Sequence, residues 1–127
     1  MSTAERLAGP ADPASWPAHL DAVAAAPGNH RVLYEDDMIR VVSVSVAPGE
    51  TEPVHHHRWP SVFVIDRLVK LRDFDGEGRE IPLPIPDHFE LPLVVRLPPQ
   101  PAHKVRNEDV SAFHGTRIEF KQGFPTA

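Results

Sequence analysis

From His30 onward the chain consists of short runs of β-branched and aromatic residues cut by proline and glycine, and no apolar pattern of period 3.6 lasts long enough for a packed helix. Strands are predicted over His30 to Tyr34 and Met38 to Ala47, either side of an acidic turn at Glu35-Asp36-Asp37. Pro48-Gly49 then supplies the residues of a type II turn. One long strand is expected from Ser61 to Phe74. It enters Asp75-Gly76-Glu77-Gly78, where glycine tolerates the positive φ of a tight hairpin connection, and its partner should begin near Arg79. Pro82, Pro84, Pro86 and Pro92 make Leu83 to Pro92 an edge or a loop, because proline cannot donate to a ladder. Leu93 to Leu97, His103 to Arg106 and Thr116 to Lys121 complete the set.

The stretch before His30 reads differently. It is polar and alanine-rich, with one short helix expected between Ala14 and Ala26, interrupted early by Pro17 and stopped by Pro27-Gly28. The expected organisation is therefore an N-terminal extension, residues 1–28, followed by one all-β domain, residues 29–127. Many short strands without intervening helices predict a sandwich or a closed barrel.

Composition narrows what such a barrel can be. A chain of 127 residues is enough for one core, and 24% charged residues are ordinary for a globular protein. No apolar run is long enough to cross a bilayer, and the N-terminus lacks the basic-then-apolar pattern of a secretory signal, so a cytoplasmic location is the default expectation. A net charge of −5 with scattered basic residues gives no footprint for nucleic acid. With no cysteine, any metal must be held by nitrogen or oxygen.

Eight histidines then become the candidate chemistry. In His55-His56-His57, strand period two puts His55 and His57 on one face and His56 on the other. Two imidazoles joined by a third from a distant strand supply three corners of a metal site and leave the rest to water or substrate. His103 is the candidate third. His19, His30 and His88 lie in segments with no supporting pattern and are expected at the surface.

Two spacings resemble the cupin superfamily, and the resemblance extends over nearly everything from Val32 onward. Gly49 is followed by five residues and then His55-x-His57, as in the first cupin motif. Pro98-x-Gln100-x-x-His103-x-x-x-Asn107 matches the second except that Gln100 stands where the motif has glycine. The resemblance implies a double-stranded β-helix, a jelly-roll-like barrel, holding one divalent metal ion on His55, His57 and His103, and a homodimer. It also shows a departure. The motif's glutamate ligand should follow the histidine pair by three or four residues, where this chain has Ser61 and Val62. Asp66 has the opposite parity and is expected to face away.

Three neutral imidazoles leave a divalent ion its full charge, which favours anionic ligands such as enolates and carboxylates. Imidazole suits several metals. Iron(II) is the first candidate and zinc the second. Around the metal, Ser61, Phe63, Ile65 and Arg67 share a parity that would line a pocket, with Trp59 capping it and Arg67 clamping a substrate carboxylate. In the last strand, His114, Thr116, Ile118 and Phe120 alternate with Arg117, Glu119 and Lys121, which predicts the His114 face as the inward one unless Gly115 breaks the register. His114 is then a candidate catalytic base, and Asn107 a turn or barrel-end residue. The leading expectation is a small-molecule enzyme resembling the three-histidine cupin dioxygenases. A redox-neutral zinc isomerase, cyclase or lyase is the second, and a non-catalytic small-ligand-binding cupin the third.

Overall fold

The computed structural model describes residues 12–125. Nine strands form two antiparallel sheets that face each other. One sheet has the order β1 (His30–Glu35), β2 (Ile39–Val46), β9 (Phe113–Phe120), β4 (Ser61–Arg67) and β7 (Leu93–Leu97). The other runs β3 (His55–His57), β8 (Gln100–Asn107), β5 (Leu71–Asp75) and β6 (Glu80–Ile81). The expected turn is present: the amide of Glu50 bonds the carbonyl of Ala47 at 3.0 Å, with Gly49 at a φ of 77°. No strand is formed between Ile81 and Leu93, the proline-rich segment.

The strand expected from Ser61 to Phe74 is instead two. β4 ends at Arg67, and after Leu68-Val69-Lys70 the chain joins the opposite sheet as β5. Leu68, Val69 and Leu71 pack against the core at that crossing, so the apolar run reads as continuous although the backbone changes layer.

Alternation decides what lies between the sheets. On β2, Val42, Val44 and Val46 are buried, and cross-strand partners share a face. Their partners on β9 are Arg117, Gly115 and Phe113. The inward face of β9 is therefore Phe113, Gly115, Arg117 and Glu119, opposite to the sequence expectation. The core is completed by Phe63, Ile65, Leu93 and Leu97. Gly115 does not break the register with β2, which runs unbroken from Ile39 to Val46. It is needed for another reason: a Cβ there would lie 2.4 Å from Cε1 of Phe63. Phe63 is held by Phe113 at 6.0 Å between ring centroids and by the Arg117 guanidinium at 4.5 Å. Gly115→Ala should cost about 1–3 kcal/mol in urea denaturation through overpacking; an unchanged midpoint would mean that the ring moves freely.

Residues before β1 form two 3-10 turns, Pro13–Ser15 and Ala18–Leu20, and one turn of helix, α1 (Ala22–Ala25), in place of a single short helix. The Asp12 and Asp21 carboxylates cap the first turn and α1 by accepting from the amides of Ala14 and Val23. Trp16 packs with Ala102, and Asp21 bridges to His56, so the segment is pinned to the second sheet. Among the described residues no helix is long and apolar enough to cross a membrane.

Candidate metal centre

Four imidazoles converge on one cavity between the sheets. β3 places His55 and His57 inward and turns His56 outward, where its Nε2 bonds the carbonyl of Pro17 at 2.7 Å. β8 runs beside β3 with His103 directly opposite His55. Ring centroids of His103 lie 4.7 Å from His55 and 5.4 Å from His57. The fourth imidazole is His30, expected at the surface and found 3% exposed. It opens β1 opposite the core residue Val44, and so faces inward on the same side. Its ring lies 4.6 Å from that of His55 and 5.6 Å from that of His57. His30, His55 and His57 each offer a ligand atom within 4.8 Å of the others. His103 stands beside this trio.

Hydrogen bonding fixes three of the rings. Nδ1 of His30 donates to the carbonyl of Ala26 (3.0 Å), that of His55 to the carbonyl of Pro53 (2.8 Å), and that of His103 to the Asp73 carboxylate (2.8 Å). A carbonyl or carboxylate oxygen only accepts, so each neutral ring carries its proton on Nδ1 and a lone pair on Nε2. Nε2 of His103 is buried with no hydrogen-bond partner. An orphaned nitrogen lone pair beside three more imidazoles fits a divalent cation, since backbone and carboxylate acceptors behind ligand rings orient metal-binding histidines in the same way. Asp73→Ala should lower metal affinity about 10–100-fold while leaving the stoichiometry at one, as read by competition with a chelator.

Burial sets the proton affinities. His30 is lowered to about 4, chiefly by loss of water, with Arg117 and His103 adding repulsion. His55 and His57 are held well below the ordinary imidazole range for the same reason; for His57 the Arg117 charge is the next cause. Protons and metal compete for the same lone pair, so a weaker hold on the proton delays the competition. Protons should therefore not displace a metal from the His30, His55 and His57 trio until the pH approaches 4, below the pH 6 expected of solvated imidazoles. A decline already complete at pH 6 would show that water reaches the rings.

A carboxylate that sequence reasoning did not weigh stands at the edge of the cluster. Glu52, 4% exposed, accepts from the amide of Val105 through Oε1 and holds Oε2 at 3.6 Å from Nε2 of His30 and 4.0 Å from Nε2 of His55. Burial pushes it up to about 7. At Ser61, one of the two places where the motif's glutamate is expected, the hydroxyl accepts from Nη1 of Arg117 at 3.0 Å.

Of the other expected site residues, Phe63 and Ile65 line the cavity. Ser61 is fully buried and touches it through Arg117. Arg67 is exposed, because β4 leaves the barrel after Ile65. Trp59 does not cap the cavity: it is half-buried among Arg40, Arg58 and Lys121. His114 is on the outer face of the five-stranded sheet, between the Asp66 carboxylate at Nδ1 and the Ser43 hydroxyl at Nε2, so it is no base for this centre. Asp66 does face away. Asn107 ties down the turn after β8 through Val46, Ser111 and Asp109. His19 and His88 are exposed.

No family model and no curated protein matches the chain by sequence. Solved structures do match by shape. A cupin domain from Bordetella pertussis Tohama I superposes with a TM-score of 0.58 at 20% identity, covering 72% of this chain and 91% of that one. An RmlC-like cupin family protein with a double-stranded β-helix fold, from Methanocaldococcus jannaschii, gives 0.52 at 11% identity over 72% and 77% of the two chains. A double-stranded β-helix protein from Klebsiella pneumoniae gives 0.50 at 14% over 93% and 86%. The chain therefore has the cupin fold.

Proposed function

We propose that this chain is a metal-dependent small-molecule enzyme of the cupin type, a dioxygenase that holds one iron(II) on its inward imidazoles and acts on a small anionic or enolisable substrate. The observation that supports it most is the nitrogen-rich donor set: a fixed acceptor holds the Nδ1 proton of His30, His55 and His103 and so leaves the lone pair on Nε2, and His57 stands among them. Iron(II) in that setting supplies reaction with dioxygen, whereas zinc would supply Lewis acidity alone.

The chain's own residues do the rest. Val44, Val46, Phe63 and Leu97 give the cavity an apolar wall, which keeps water from the reacting end of a substrate. Glu52 holds its proton with an affinity near neutrality, so its Oε2 is suited to take a proton from an enolisable carbon and return it. The same residue supports the second reading, a redox-neutral isomerase or lyase with zinc. A homodimer belongs to the proposal on the resemblance to small cupins alone.

The deciding experiment is elemental analysis of protein purified without oxygen, followed by oxygen uptake with a panel of enolisable acids. One iron per chain and acid-dependent uptake are expected. Zinc together with turnover in the absence of oxygen would replace the first reading with the second, and ligand retention without turnover would make the protein a binding module.

A further inference from the structure

Arg117 is a buried charge at the cavity with no counter-ion in direct contact. Its side chain is 4% exposed, yet no carboxylate lies within salt-bridge distance among the described residues. The partners it has are neutral: the Ser61 hydroxyl at 3.0 Å, the Gln100 side-chain oxygen at 2.8 Å and the face of Phe63 at 4.5 Å. Nε is buried with no partner at all. The nearby acids are engaged elsewhere, Asp73 with His103, Glu119 with Arg40, and Glu52 with Val105. Glu119, Glu52 and Asp73 act on it only from beyond salt-bridge distance, and a buried guanidinium with no anion in contact is costly. It lines the same cavity as the four histidines, whose protonation its charge disfavours at His30, His55 and His57.

We infer that Arg117 is the binding site for the carboxylate of a small organic acid, which supplies the missing counter-ion and lays its apolar body along Phe63 and the valine wall toward the histidines. The inference rests on the proposed small-molecule function and makes it narrower: the substrate is a carboxylic acid, recognised at a point separate from the metal. Ser61 and Gln100 act as positioning residues, because both accept from one nitrogen, Nη1, and so hold the guanidinium plane in place. Sequence reasoning assigned this role to Arg67; the inward parity of β9 gives it to Arg117.

The test is binding to metal-free protein, so that it stands apart from the metal proposal. Isobutyrate, benzoate and 2-oxobutyrate are titrated by calorimetry and by thermal shift, with isobutyramide and benzamide as uncharged counterparts. The wild type should bind at least one acid about tenfold or more tightly than its amide, as expected for a charge-assisted contact. Arg117→Met should lose that preference while retaining one metal ion per chain, and in carboxylate-free buffer it should melt no lower than the wild type, because an unpaired buried charge has been removed. Acids and amides binding the wild type alike, no acid binding at all, or R117M stabilised by the acids as much as the wild type would each overturn the inference. A failure to bind metal with acid preference intact would instead strike only the metal reading.

Discussion

Replacing His57 with alanine should abolish stoichiometric metal binding, whereas His56→Ala should keep it and weaken the fold instead. The two residues are adjacent and both fully buried, so burial alone does not separate them. Direction does. His57 faces His30, His55 and His103 across the cavity, with ring centroids 5.6, 4.9 and 5.4 Å away. His56 points out of the barrel, bonded to the Pro17 carbonyl at 2.7 Å and packed edge-on against Trp16 at 5.3 Å. Structural metal sites bind with about 10–16 kcal/mol shared among some four ligands, so losing one ligand removes roughly 3 kcal/mol, more than a hundredfold in affinity. His56→Ala loses a hydrogen bond and leaves a cavity under Trp16, together about 2–4 kcal/mol of stability. Metal titration and urea denaturation of both variants give the comparison, and equal metal losses would invert the assigned parity of β3.

That parity was readable in advance because a strand alternates by geometry, whatever its residues are. The turn at Pro48-Gly49 was also legible, because its residues suit the conformation it needs. Alternation failed on β9. There the more apolar face, Thr116, Ile118 and Phe120, is half-buried on the outside, while Arg117 and Glu119 point in. Hydrophobic alternation reports the inward face only where the interior is apolar, and this end of the barrel interior is polar, with ion pairs that no local pattern announces. Register with β2 would have corrected it, since Arg117 is paired with Val42. His30 was missed for a related reason. It is the one buried residue of an otherwise exposed strand, and only its pairing with Val44 reveals its side. Glu52 lies in a segment with no periodicity, where the side-chain direction depends on the Thr51–Arg106 bridge and the backbone bonds to β8. What the sequence could carry was therefore local: strand positions, turn chemistry and the motif spacing. What it withheld depends on which strands become neighbours.

Arg40→Ala should destabilise the protein by about 3–5 kcal/mol, the largest loss expected from any single ion pair here. Arg40 opens the inward face of β2 at 6% exposure. Its two terminal nitrogens bond both oxygens of Asp21 at 3.0 and 2.9 Å, its Nε bonds Glu119, and Trp59 lies under the guanidinium at 4.8 Å. Truncation leaves two buried carboxylates without the cation they share, and Glu119 keeps only the more distant influence of Arg117. Burial already pushes Glu119 up, and Arg40 is the main influence holding it back, so the variant should take up a proton at Glu119. A carboxyl with a raised folded pKa favours the folded state at low pH and loses that support as pH rises through its folded value. The destabilisation of R40A should therefore be smaller at pH 5 than at pH 8. Asp21 belongs to the segment before β1, and its release should also expose that segment to proteolysis near residue 20. The metal centre feels the change through Glu119, whose Oε2 lies 3.9 Å from Nδ1 of His57. With that carboxylate neutral, the His57 ring loses a nearby anion, and metal affinity should fall by a smaller factor than in H57A. A cost below 1 kcal/mol, equal at both pH values, would mean that water reaches the Arg40 network and that the N-terminal segment is held by Trp16 and His56 alone.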